Sequence, residues 1–221
     1  KNDEKVLAPY TEQSLMGLWV TGKRVNNSWA HADEATSVFE LKAYVLNIFA
    51  RLGLNQGTVV FGTLANDLFA DAITIHTRGG KLLATIGIIT RKIQRKFDID
   101  NEVYYAELNW KELMRAIKNQ KVSYKELSKY PAVKRDLALL IDKAVQFADI
   151  EKIAYESEKK LLKEVALFDV YEGKNLEAGK KSYAVSFLLQ DENATLNDKQ
   201  IDKIMSKIIA NLENKLQAKL R

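Results

Sequence analysis

The sequence predicts an α+β protein of two successive domains, the second a split βαβ, ferredoxin-like βαββαβ arrangement. Two observations predict it. The stretch "NQKVSYKELSKYP" is polar and ends at Pro131, one of two prolines in 221 residues, so it reads as a connection rather than a packed element. Beyond it, the periodicities run strand, helix, strand, strand, helix, strand. In that order two helices cover one face of a four-stranded antiparallel sheet and leave the other face bare. The expected division is a first domain over 1–120, a linker over 121–127 and a second domain over 128–221.

In the first domain, "SLMGLWVTG" alternates loosely and closes on Gly22, as a strand does. "EATSVFELKAYVLNIFARLGL" places Phe39, Val45, Leu46, Ile48, Phe49 and Leu52 near helical spacing. Thr36 or Ser37 serves as its N-cap and Gly53 as its stop. "ADAITIHTRGGKLLATIGIIT" joins two apolar alternating runs across Gly79-Gly80, a hairpin. The basic segment "RKIQRKF" leads to a strand, "VYYAELNW", and Asn109 caps a helix through "WKELMRAIKN".

The second domain reads "VKRDLALLID" (strand), "ADIEKIAYESEK" (helix), "LLKEVALFDVYEG" and "KKSYAVSFLLQ" (strands), "NDKQIDKIMSKIIANLEN" (helix) and "KLQAKLR" (strand). Asn197 and Gln200 have the spacing of a capping box.

Alternation assigns the two faces of its sheet. Tyr183, Val185, Phe187 and Leu189 form one apolar set, leaving Ser182, Ala184 and Ser186 on the uncovered side. Phe168 and Val170 read as the buried pair of the second strand, with Asp169 and Tyr171 outward beside the serines. In the first strand Leu137, Leu139 and Ile141 go in, and Lys134, Asp136 and Ala138 stay out. The bare face is therefore small and polar with one aromatic ring on it. Such a surface suits a splayed nucleotide base, which stacks on the ring while hydroxyl and carboxylate groups read its edge.

Composition narrows the alternatives. With no cysteine, disulfides and thiolate metal sites are excluded, which fits a reducing cytoplasm. No apolar run approaches the length needed to cross a bilayer, and "KNDEKVLAPY" reads as the middle of something larger rather than a leader. The net charge is +5, but from Ser128 onward there are 17 Lys+Arg against 15 Asp+Glu, so bulk charge is a weak argument for nucleic acid. There is no glycine-rich phosphate loop and no recognisable Ser/His/Asp spacing. His31 and His76 lack ligand-spaced partners, and His76 reads as structural. No catalytic residue and no metal site is expected.

The segments "KYPAVKRDLALLID", "LFDVYEG", "LEAGKKSYAVSFLLQ", "TLNDKQI" and "AKLR" together resemble the C-terminal ferredoxin-fold anticodon-binding domain of the bacterial phenylalanyl-tRNA synthetase beta chain. Upstream, "GLWVTGKRVNNSWAHADEATSVFELKAYVLNIFARLGL" and "LLATIGIITRKIQRKFDI" resemble the same family's catalytic-like module. The resemblance implies a class II synthetase-like antiparallel α/β module that lacks the active-site motifs and packs against the alpha chain. It implies tRNA(Phe) and the alpha subunit as partners, in a heterotetramer. ATP and Mg2+ would serve the parent enzyme on the alpha chain, with no cofactor here. It further implies that a longer N-terminal portion is missing and that the final "LR" is a natural end.

In that family an Asp and a Tyr two residues apart, and a Ser after the following turn, contact the anticodon. Those positions match Asp169, Tyr171 and Ser182, so Tyr171 is expected to stack on a base that Asp169 and Ser182 hydrogen-bond. Lys174, Lys180 and Lys181 flank them as expected phosphate contacts, which position without specifying. Other features have plainer readings. Lys199, Lys203 and Lys207 read as a solvated helix face opposite Ile201, Ile204, Met205, Ile208 and Leu212. Trp19, Trp29 and Trp110 read as core or subunit-contact residues. Arg135 and Asp136 belong to the signature without an evident physical role. The competing assignments are a ferredoxin-like regulatory module that binds a small amino acid and a protein-interaction scaffold. The first predicts a glycine-containing ligand loop that "IDKAVQFADIEK" does not supply.

Overall fold

The computed structural model describes residues 10, 12–120, 124, 126–173 and 176–221. The chain divides into two compact units, 1–123 and 124–221.

In the first unit β1 (Leu15–Thr21) turns at Gly22, φ 80°, into β2 (Lys23–Val25), which pairs with β3 (Glu34–Ala35) as a small ribbon. α1 (Val38–Arg51) follows, then β4 (Val59–Thr63), β5 (Phe69–Thr77), β6 (Leu82–Ile89), α2 (Arg91–Lys96), β7 (Val103–Asn109) and α3 (Trp110–Ile117). The five long strands form one sheet in the order β1-β7-β6-β5-β4, with every pair antiparallel.

Ser37 caps α1 by accepting the Glu40 N–H, and Asn109 caps α3 by accepting the Glu112 N–H, each satisfying a donor that the first helical turn leaves free. Leu41, Val45 and Phe49 of α1 and Leu113 of α3 are fully buried in one cluster with Ile75, Ile86, Ala106 and Leu108 of the sheet. Their helical spacing produced that face.

Three details differ from the sequence reading. β2 and β3 are too short to carry a period. β4 is a strand the sequence reading did not assign; Gly62 lies inside it, paired with Thr74 of β5, where a Cβ would fall 2.9 Å from Thr74 Oγ1. The three tryptophans are not core residues. Trp19 stacks on Tyr105 with ring centroids 3.9 Å apart but is largely exposed, Trp110 is partly exposed, and Trp29 is 100% exposed.

The second unit contains β8 (Val133–Asp142), α4 (Phe147–Ser157), β9 (Leu162–Tyr171), β10 (Lys180–Leu189), α5 (Asp198–Leu216) and β11 (Lys219–Leu220). The sheet order is β11-β8-β10-β9, all antiparallel, which is the order expected of βαββαβ. The last helix runs two residues further than the sequence suggested and ends on Gln217 at φ 52°, so the final strand shrinks to two residues.

Ile150, Ile153 and Ala154 of α4 and Ile201, Ile204, Met205, Ile208 and Leu212 of α5 close over Leu139, Ile141, Val185, Phe187 and Leu189. The Asn197–Gln200 capping box is formed in both directions, at 2.9 and 3.1 Å. Between the helices Asn211 Nδ2 donates to Ser157 Oγ (2.8 Å), which itself donates to the Ile153 carbonyl (2.7 Å), so the polar pair inside the helix contact is satisfied. Both helices lie on one side of the sheet, and the opposite side carries the candidate site.

Candidate nucleic-acid interface

Strand register fixes what that side presents, because directly opposed residues of antiparallel strands share a face. One row across the sheet runs Lys219, Leu140, Ser182, Tyr171. The next contains Ala138, Ala184 and Asp169, and the Arg221 N–H donates to the Ala138 carbonyl at its end (2.9 Å). A third holds Asp136, Ser186 and Ala166, where Ser186 Oγ donates to Asp136 Oδ1 at 2.6 Å. Asp169, Tyr171 and Ser182 are thus brought together on the uncovered face.

The reason they share it is not the one that simple alternation gives. Val165 and Leu167 pack into the core, so strict period two would turn Asp169 and Tyr171 toward the helices. A β-bulge intervenes: Val185 pairs with Leu167 and Ala184 with Asp169, leaving Phe168 as the extra residue. The bulge resets the phase. Val170 opposes buried Tyr183 on the helix side, while Phe168 joins Asp169 on the bare side. The expected buried pair, Phe168 and Val170, is therefore corrected. Phe168 is 56% exposed, and Val170 is half-exposed where helix cover runs out near the strand end.

The basic residues divide. Lys180 stands on the bare face and lies 4.0 Å from Asp142 Oδ2. Lys181 does not flank the site. It opposes Ile141 on the helix-covered side, is only 7% exposed, and rests its ammonium 4.5 Å from the Tyr183 ring centroid. Lys174 lies outside the described residues. Ser182 has the expected face but not the expected access. It is 6% exposed, because it sits on a central strand between Leu140 and Tyr171.

Tyr171 is held from two directions. A Cβ placed on Gly173 would fall 2.2 Å from its phenol oxygen, so the ring lies across a position that only glycine leaves open. On the ring itself the Arg221 guanidinium sits 5.5 Å from the centroid, within cation–π range. The ring keeps 37% of its surface exposed. Arg221 belongs to the site although sequence spacing did not select it; its position opposite Ala138 is visible only once β11 pairs with β8.

Arg135 and Asp136 now have physical roles. Arg135 projects to the helix side, opposite Phe187, and lies 3.9 Å from Asp198 in the first turn of α5. Asp136 accepts from Ser186 and lies 3.8 Å from Lys134, tying β8 to β10 on the bare face. Among the described residues no group of three or more His, Asp or Glu side chains could hold a metal ion. No helix among them is long and apolar enough to cross a membrane.

Two family models match the chain. Residues 128–221 match the ferredoxin-fold anticodon binding domain, and residues 1–110 match the phenylalanyl tRNA synthetase beta chain CLM domain. Phenylalanine–tRNA ligase beta subunits are similar along the chain. That of Bacteroides fragilis is 73% identical and that of Porphyromonas gingivalis 53% identical, both over all 221 residues. That of Bacillus licheniformis is 30% identical over 218 residues, 99% of this chain. The chain spans 27% of the length of each of these relatives. Matched in both of its units and along its length, the chain belongs to the phenylalanyl-tRNA synthetase beta chain family.

Proposed function

We propose that the second unit binds the anticodon region of tRNA(Phe) on its uncovered sheet face, in support of ATP-dependent charging of that tRNA with phenylalanine. Tyr171 stacks on an anticodon base, and Asp169 accepts hydrogen bonds from its edge. Ser182 contributes once its cross-strand neighbour Tyr171 shifts. Arg221 covers the ring in the free protein; an incoming base takes its place, and the guanidinium is then released toward a phosphate. Lys180 supplies a second positioning charge. The observation that carries this reading is a half-exposed aromatic ring on a bare antiparallel sheet, the arrangement that accepts unstacked bases.

The first unit acts as a class II synthetase-like module without catalytic side chains of its own, and docks on the alpha subunit. The exposed Trp29 and the Trp19–Tyr105 stack give it aromatic anchors of the kind enriched at interfaces. ATP and Mg2+ are bound by the alpha chain.

The test is binding of a fluorescent tRNA(Phe) anticodon stem–loop over a salt series, wild type against Tyr171→Ala. Loss of one base stack predicts affinity about tenfold lower. Equal affinity in the two proteins would eliminate the stacking role.

A further inference from the structure

We infer that Phe168 and Lys134 form a second nucleotide subsite on the same face, which takes the base of a neighbouring nucleotide of the RNA strand that Tyr171 engages. The inference rests on the reading of this face as an RNA platform and goes beyond the five residues assigned above.

The bulge in β9 turns the Phe168 ring outward, where it borders a half-enclosed pocket of about 180 Å³ lined also by Lys134, Glu164, Ala166, Ser186 and Leu188. That volume is well below the roughly 300–1,000 Å³ of a pocket for a whole small ligand, and suits a single planar ring. Ala166 and Leu188 supply an apolar floor. The rim carries a carboxylate, Glu164, and the Ser186–Asp136 hydrogen-bonded couple, which are acceptors for exocyclic amino groups of a base. The Lys134 ammonium lies 5.4 Å from the Phe168 centroid. A lysine is a mobile point charge, so the cation that rests on the ring in the free protein can turn to a phosphate when a base arrives.

Nothing in core packing requires this exposure. Bulges recur beside functional sites, where they re-aim a side chain, and this one turns Phe168 to the bare face, where it stays more than half exposed.

Spacing selects the occupant. Phe168 and Tyr171 are three residues apart on one strand, about 7–10 Å once the bulge beside Phe168 is allowed for. A stacked strand repeats every ~3.4 Å, so one strand touching both rings must splay its bases. That is the form in which RNA sequence is read. The two rings also share a face with Lys180 and Arg221, so cationic side chains lie at the Tyr171 end as well as beside Phe168.

The experiment uses the whole chain and the tRNA(Phe) anticodon stem–loop, intact and with an abasic residue at each loop position in turn. Phe168→Ala is expected to melt as wild type, bind the intact RNA about tenfold more weakly, and become insensitive to one abasic position that differs from the one Tyr171→Ala silences. Phe168→Tyr should retain affinity and Phe168→Leu should lose it. Lys134→Gln should reduce the salt slope by about one. If Tyr171→Ala is weakened while Phe168→Ala binds every RNA as wild type does, the subsite is overturned and the anticodon reading stands. If both variants bind as wild type, the platform itself fails and the subsite with it. If both silence the same loop position, Phe168 only supports Tyr171 and the second subsite is overturned.

Discussion

Gly173→Ala is a sharp perturbation of the site because it adds a single uncharged methyl against the ring proposed to stack. On the observed backbone that methyl would lie 2.2 Å from Tyr171 Oη, 2.4 Å from Cζ and 3.0 Å from Cε1. Carbon atoms settle at about 3.5–4.0 Å, so the ring must retreat by more than about 1 Å. The obstacle is the far end of a side chain rather than backbone, and displacement off its rotamer costs about 0.5–1.5 kcal/mol. Gly173 is not at positive φ, so alanine also removes freedom from the unfolded chain, worth about 0.4–1 kcal/mol in the opposite direction. Stability should therefore barely change. Affinity should fall by the stack that is lost, roughly 1–3 kcal/mol or about 5- to 150-fold. Calorimetric melting and anisotropy of the labelled stem–loop read the two quantities separately. An unchanged Tm with affinity within about twofold of wild type would refute the claim that ring position governs binding. Loss of the fold would refute the claim that the strain stays in the side chain.

Arg221→Met keeps much of the side chain's length and removes the charge. It should weaken binding by a similar factor for all loop sequences and lower the salt slope by about one; an unchanged slope contradicts a phosphate contact. In the first unit, Glu40 accepts hydrogen bonds from Thr36 Oγ1 (2.6 Å) and the Tyr44 hydroxyl, with Arg24 nearby, and these hold its carboxyl below its ordinary pKa. A depressed carboxyl stabilises above the unfolded value of about 4.3, and that contribution disappears as pH falls through the folded value. The Tm gap between wild type and Glu40→Gln should thus be constant from pH 7 to about 5 and narrow below about 4. A gap that persists to low pH would exclude the carboxylate as its source.

How much of this was written in the sequence depends on the period each element keeps. α1, α5 and β10 keep one period throughout, so their buried faces, and the order of strands and helices in the second unit, were legible. The phase of β9 was not. Asp169 and Tyr171 were placed outward on the assumption that Phe168 and Val170 faced in together, whereas the bulge puts Phe168 out and Val170 in. A bulge leaves no mark on residue type in "LFDVYEG", because both phases place hydrophobic residues on plausible sides. Lys181 is a different case. It shares the parity of Tyr183 and Val185, so alternation alone places it under the helices, and only its charge argued otherwise. Arg221 was invisible for a third reason: its neighbours come from β8 and β9, far away in the chain.

The two-residue β11 has a bearing on how the protein behaves at high concentration. Lys219 and Leu220 occupy the outer rim of β8 opposite Leu140 and Leu139, and Arg221 ties down the amide-to-carbonyl line beside Ala138. So brief a strand, with a cation on either side of its leucine, offers a poor template for the next polypeptide to zip onto. Trimming those three residues would uncover a longer, flatter border and invite copies of the molecule to add edge to edge.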